Sequence, residues 1–260
     1  MIHSARTDRL SILNIWVDPV TREEAVTRVC EMLQHGDKPH FIFASNPEKN
    51  FSVPKDPVLY TAFKNADLLI PDGIGIVLAA RILYGLKLTR LPGADFFMDI
   101  CRLAEKEHYG VFIYGAKEEV NKKAASELQG RYPNLNIAGR SNGYVPQERM
   151  PELVDKINNS KAQILFLALG SPMQEKWLAT YKNSLRHVRV CQGVGGTLDT
   201  IAGTVKRAPI AWQQMNLEWL YRLIEEPKRI QRQKLLPLFA ALVLLQKGKS
   251  LLGKGHCQER

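Results

Sequence analysis

Between His40 and Cys191, short apolar runs of strand length alternate with longer stretches of helical character, and this alternation constrains the fold more than any other feature. The apolar runs are His40–Ala44, Leu68–Ile70, Val111–Tyr114, Asn136–Ala138, Gln163–Leu169 and Val188–Cys191. Between them lie Pro57–Asn65, the apolar stretch Ile74–Leu83, Gly93–His108, Glu118–Arg131, Arg149–Asn159 and Pro172–Lys182. Strands that alternate with helices join most simply as parallel neighbours, with helices laid over both faces. The predicted class is therefore α/β with a mostly parallel sheet. Ligands of such sheets bind beyond the carboxyl ends of the strands. That rule puts Asn46, Asp72, Gly115, Gly170 to Gln174, and Gly193 to Asp199 on one edge of the molecule.

The alternation stops after about Val205, where the charge also changes. The chain of 260 residues carries a net charge of +10, and the segment from Ile201 onward holds eleven Lys and Arg against four Glu. The rest is nearly balanced. A basic patch confined to one end predicts an anion-facing surface. Arg222, Arg229 and Arg232 are spaced seven and three apart, which suits one helical face if Pro227 only kinks or restarts the helix. They are followed by the apolar run Leu235–Leu245, which includes Pro237. A span needs roughly 20 apolar residues, so this run is expected to lie in a membrane interface without crossing. The predicted division is a core over 1–204 and a basic helical appendage over 205–260. An appendage of this kind must fold onto something apolar, so homo-oligomerisation at the membrane is a further expectation. Four widely spaced cysteines and no leader-like N-terminus predict a soluble or peripheral protein of a reducing cytoplasm.

Several strand-end residues are candidates for chemistry. Asp72, in Ile70-Pro71-Asp72-Gly73, reads either as the cap of the next helix or as a general base at a pocket mouth. Asn46 reads as an Asx-Pro turn or as a site residue. Arg90, if it faces the same cleft, can hold a phosphate or carboxylate in its planar donor fork. Gly170-Ser171-Pro172 looks like a helix start, with Ser171 as cap and Pro172 as first helical residue. Gly115, Gly170, Gly195 and Asp199 are candidate substrate-binding positions at the same edge. Gly193-Val194-Gly195-Gly196 lacks the third glycine of the dinucleotide fingerprint, which counts against a nicotinamide enzyme. No Asp-x-Asp occurs, and no cysteine pair or acidic cluster beside His35 and His40 completes a ligand set, so neither a bound metal nor another cofactor is predicted. A nucleic-acid-binding module would also explain the basic end, but no recognition motif or aromatic-interleaved basic stripe accompanies it.

Taken in order, these segments resemble the WecG/TagA/CpsF family of bacterial glycosyltransferases (glycosyltransferase family 26). The resemblance rests on Asn46-Pro47-Glu48, Pro71-Asp72-Gly73-Ile74-Gly75, Arg90-Leu91-Pro92-Gly93-Ala94-Asp95 and Gly170-Ser171-Pro172-Met173-Gln174-Glu175. It continues through Gly193-Val194-Gly195-Gly196, Asp199, Arg207-Ala208-Pro209, Leu217–Leu223 and Glu226-Pro227. It implies a Rossmann-like core and a cytoplasmic, membrane-associated transferase. The activity implied is inverting transfer of N-acetylmannosamine, or its uronic acid, from a UDP donor to polyprenyl-diphosphate-linked N-acetylglucosamine. Asp72 matches the implied base, and Asn46, Arg90 and Gln174 match active-site positions. Arg222, Arg229 and Arg232 fall in an appendage implied to close over the donor diphosphate. Ala44 stands where teichoic-acid members typically have Thr. There the chain is more similar to the enterobacterial-antigen branch, and a glucosyl donor stays open.

Overall fold

The computed structural model describes residues 8–225 and 230–254. The described residues open with an antiparallel hairpin, β1 (Leu10–Ile12) and β2 (Ile15–Val17), and a helix, α1 (Arg22–His35). The start of α1 is written in Thr21-Arg22-Glu23-Glu24. The Thr21 hydroxyl accepts from the Glu24 N–H, while the Glu24 carboxylate accepts from the Thr21 N–H. This reciprocal cap satisfies two amides that the first helical turn leaves open.

The alternating region then builds the sheet. In chain order it contains β3 (His40–Ser45), α2 (Lys49–Ser52), α3 (Pro57–Lys64), β4 (Leu68–Pro71), α4 (Ile74–Tyr84) and α5 (Gly93–Lys106). It continues with β5 (Val111–Gly115), α6 (Glu118–Arg131), β6 (Ile137–Ser141), α7 (Met150–Asn159), β7 (Ile164–Ala168), α8 (Met173–Tyr181) and β8 (Val190–Gly193). The strands form one six-stranded sheet in the order β4-β3-β8-β7-β5-β6. Every pairing in it is parallel.

Burial follows the two-residue period of a strand covered on both faces. Phe112, Tyr114, Leu165 and Leu167 join the hairpin, α3, α4, α7 and α8 in one apolar cluster. Val111, Ile113, Ile164 and Phe166 join α1, α5 and α6 in the other. This is the Rossmann-like arrangement of helices over both faces of a parallel sheet.

Two strands extend more than one residue past their apolar runs. β6 continues through Gly139-Arg140-Ser141, because an edge strand is only half covered and tolerates polar residues. β8 starts later than the run Val188–Cys191 and carries its ladder on through Gln192 and Gly193. There Gln192 Nε2 donates to the Gly93 carbonyl at 3.2 Å.

Beyond the sheet lie α9 (Thr197–Ile201), α10 (Ile210–Gln214), α11 (Glu218–Glu225), α12 (Ile230–Gln233) and α13 (Leu235–Lys254). Pro237 falls in the first turn of α13, where a missing N–H leaves no helical bond unmade, so the helix runs through it. The expected apolar run is thus one part of a 20-residue helix. Phe239 and Val243, one turn apart on α13, are buried in the cluster that holds Ile76, Ala79 and Ala80 of α4. Lys247 Nζ donates to the Leu83 carbonyl at 3.4 Å. The apolar surface that α13 covers is therefore in its own chain. Its outer face leaves Leu238, Leu244 and Leu245 exposed. Among the described residues no helix is long and apolar enough to cross a membrane.

Candidate active site

Because all six strands of the sheet are parallel, their last residues meet one edge, and the side chains just past them share it. Asn46 follows β3, Asp72 follows β4, Gly115 closes β5, Gly170 follows β7 and Gly195 follows β8.

Asp72 is half-buried at the mouth of this edge. Its N–H donates to the Ser45 carbonyl at 2.9 Å, which extends the β3–β4 ladder by one residue. The cap position of α4 is Gly73, in a left-handed conformation with φ +88°, so Asp72 sits one residue before the cap position. The segment Arg90-Leu91-Pro92 returns alongside, with the Leu91 N–H donating to the Pro71 carbonyl at 2.8 Å. A methyl group on Gly93 would lie 4.0 Å from Asp72 Oδ2. The carboxylate therefore stands beside the first residue of α5, where no side chain intervenes. A fixed carboxylate at an open edge can receive a proton from a hydroxyl brought against it.

Gln174 and the glycine turn form the second part. Gln174 is 6 % exposed at the start of α8. Its Oε1 accepts from the Gly195 N–H at 3.1 Å, and a methyl group on Gly193 would meet its Nε2 at 2.3 Å. A side chain at 193 would push this amide away from the end of β8 and from the turn it holds. Asp199 follows in the first turn of α9, and its carbonyl accepts from the Thr204 N–H at 3.0 Å. Gly115 (φ +128°) is required for a different reason. A methyl group there would fall 2.4 Å from the Ala168 carbonyl carbon, so β5 and β7 close on each other at the edge.

The helix start after β7 differs from the expected one. The cap position is Pro172, and α8 begins at Met173 with no side-chain cap. The Ser171 hydroxyl is engaged elsewhere, accepting from Lys49 Nζ. The same ammonium donates to Glu175 Oε1 at 2.8 Å, inside the fold, and lies over the Phe63 ring at 5.1 Å from its centroid. The pairing of Lys49 with Glu175 carried no signal in the sequence, since the two are 126 residues apart. Asn46 behaves as a turn residue, its Oδ1 accepting from the Lys49 N–H at 3.2 Å.

Arg90 faces the appendage. Its Nη2 lies 3.9 Å from Glu218 Oε2, a charge contact too long to be a hydrogen bond. A second tie joins Arg207 to Asp95 in the first turn of α5. Arg222 and Arg232 lie in α11 and α12, and Arg229 falls outside the described residues.

Other reactive groups are withdrawn into the core. Burial pushes the Cys101 and Cys191 thiols up, and it pushes the Tyr114 hydroxyl up to about 12. Among the described residues no three His, Cys, Asp or Glu side chains converge as a metal site.

The profile of the glycosyl transferase WecG/TagA/CpsF family matches residues 10–252. The chain belongs to this family. It is 37 % identical over 199 residues to the N-acetylglucosaminyldiphosphoundecaprenol N-acetyl-beta-D-mannosaminyltransferase of Bacillus subtilis (strain 168), covering 76 % of this chain and 77 % of that one. It is 32 % identical over 247 residues to the protein of the same description from Staphylococcus aureus (strain MRSA252), covering 94 % and 96 %. As a member of the WecG/TagA/CpsF family, the chain is a glycosyltransferase with a parallel α/β core.

Proposed function

We propose that this chain is an inverting transferase that moves an N-acetylmannosaminyl group, or its uronic acid, from a UDP donor to polyprenyl-diphosphate-linked N-acetylglucosamine. The observation that carries the reading is the shared edge, with the half-buried Asp72 carboxylate at one strand end and the Gln174-held glycine turn at another. The activity for which its relatives are named supports the acceptor class and the mannosaminyl donor.

In this reading Asp72 takes the proton from the acceptor hydroxyl, whose oxygen attacks the anomeric carbon from the face opposite UDP. The anomeric C–O bond breaks, its electron pair leaves with the diphosphate, and the new linkage is β. Gly115, Gly170, Gly195 and Asp199 line the nucleotide seat. Arg90 and the appendage arginines Arg222, Arg229 and Arg232 offset the charge that develops on the diphosphate, a task that pre-placed cations perform well where water is excluded. Residues 205–260 form the appendage that meets the inner face of the cytoplasmic membrane, with Leu238, Leu244 and Leu245 outward on α13. An amphipathic face of this kind lies in the interface.

The test is a direct assay of UDP-N-acetylmannosamine, UDP-N-acetylmannosaminuronate and UDP-glucose against a short-chain lipid-diphosphate-N-acetylglucosamine, with the product's anomeric configuration read by NMR. A β-linked mannosaminyl or mannosaminuronyl product is expected. Transfer of glucose alone, or an α product, would overturn the reading. Strong inhibition by EDTA, reversed by Mg²⁺, would overturn the arginine account.

A further inference from the structure

Ser171 stands at the end of β7 on the candidate edge and is exposed, while the two groups behind it are withdrawn from water. The Lys49 side chain is 10 % exposed and that of Glu175 is 0 % exposed. An ammonium has three protons to give and no lone pair to receive with. In its contact with Lys49, the Ser171 oxygen can therefore only accept. The ammonium is held from two other sides, by Glu175 Oε1 at 2.8 Å and by the Phe63 ring face. It cannot swing away without leaving the Glu175 carboxylate buried and unpaired, which is strongly unfavourable. The Ser171 lone pair that faces Lys49 is thus occupied and its own proton points elsewhere, and accepting from an ammonium makes that proton a stronger donor and the remaining lone pair a weaker acceptor.

From this we infer that Ser171 donates a hydrogen bond to the substrate, its O–H polarised for donation by Lys49, which acts as a positioning residue. The inference rests on the transferase reading and adds to it the chemistry of one contact. The partner that suits a polarised O–H best is a strong acceptor oxygen, either a diphosphate oxygen or the carbonyl oxygen of an N-acetyl group. A sugar hydroxyl would fit less well, because its oxygen is a weaker acceptor than a diphosphate or amide oxygen. The Lys49–Glu175 pair is neutral overall, so the contact selects for an acceptor oxygen and not simply for negative charge. The neighbouring Gln174 holds the glycine turn with its own carbonyl oxygen. Ser171 and Gln174, close in sequence at the loop and the helix start after β7, therefore serve different ends, one offering a proton and one securing the turn.

The test measures equilibrium binding of UDP, UDP-N-acetylmannosamine and a short-chain polyprenyl-diphosphate-N-acetylglucosamine by calorimetry, with KM and kcat beside it. Ser171→Ala should melt like the wild type and bind at least one of the three roughly 10-fold more weakly, the effect of one hydrogen bond to a charged or strongly polar oxygen. KM should rise for that substrate more than kcat falls, and Ser171→Thr should restore it. Loss for UDP itself identifies the donor diphosphate. Loss for the UDP-sugar alone identifies the acetyl carbonyl, and loss for the lipid alone identifies the acceptor diphosphate.

Lys49→Met alone would strand Glu175, so the companion variant is Lys49→Met with Glu175→Met, which removes both charges together. Its binding loss should fall on the same ligand and should not add to that of Ser171→Ala. Unchanged binding of all three ligands by Ser171→Ala overturns the inference while leaving the transferase reading intact. A folded Lys49→Met/Glu175→Met protein that binds like the wild type overturns the role of Lys49. Wild-type protein that binds none of the three overturns the transferase reading and this inference with it.

Discussion

Gln174 reaches across from the start of α8 to the end of β8, its carbonyl on the Gly195 N–H at 3.1 Å and its amide nitrogen against the backbone of Gly193. The turn that follows β8 is therefore held by a side chain from the neighbouring strand–helix unit. Gly193→Ala should force that amide out and weaken UDP binding. Gly196→Ala should be tolerated, since its added methyl would meet Asp199 Oδ2 at an ordinary 3.8 Å. Calorimetry of the two variants checks the contrast, and equal UDP affinity for both would remove Gln174 from the nucleotide seat.

Asp72→Asn keeps the shape of the strand end and removes the base. Turnover should fall on the order of 10²–10⁴, the range for loss of a general base, with UDP affinity little changed. Single-turnover transfer checks it. Near-normal rates would take the proton-accepting role away from Asp72.

The two faces of α13 should respond differently. Phe239→Ala opens a cavity in the cluster shared with α4 and should cost about 3–5 kcal/mol in unfolding free energy. Leu244→Ser with Leu245→Ser changes exposed positions and should leave the melting temperature nearly unmoved while reducing sedimentation with anionic vesicles. Vesicle binding that survives the double change would place membrane contact elsewhere.

Asp56 ties α3 to α8. Its carboxylate accepts from the Val58 and Leu59 N–H groups at the start of α3 and pairs with Lys176 at 2.6 Å. The hydrogen bond from Lys176, aided by that from Leu59, holds the Asp56 carboxyl below the usual range. A carboxyl held low in the fold stabilises it above the unfolded pKa, about 4, and the contribution disappears as pH falls through the lower folded value. Wild type and Asp56→Asn should differ in melting temperature at pH 6 and converge toward pH 3. A gap that stays constant over that range would mean that the charge is not what stabilises the junction.

Much of the fold was legible because strand burial and hydropathy coincide in β3, β4, β5 and β7, where both faces are covered. It was less legible at β6 and β8, whose ends carry Arg140, Ser141, Gln192 and Gly193 in ladder positions that hydropathy does not mark. The N-terminal hairpin and α1 went unread although Thr21 and Glu24 spell out a cap, because three-residue strands leave almost no periodic signal. The edge positions of Asn46, Asp72, Gly115, Gly170 and Gly195 follow from topology alone, once every strand is parallel. Ser171 was misassigned as a helix cap for a physical reason. A hydroxyl before a helix takes the strongest donor within reach, and here that is Lys49, which sequence distance conceals. Arg90 pairs toward Glu218, a contact between segments 128 positions apart that no local pattern reports.

The docking of α13 on α4 bears on how such a protein can be engineered. With Phe239 and Val243 seated beside Ile76, Ala79 and Ala80, the C-terminal helix is a wall of the building and not an awning. A shortened version made for crystallisation would bare an oily strip along α4 and invite self-association. A chimera that borrows this helix from a relative would need the matching face of α4 to travel with it.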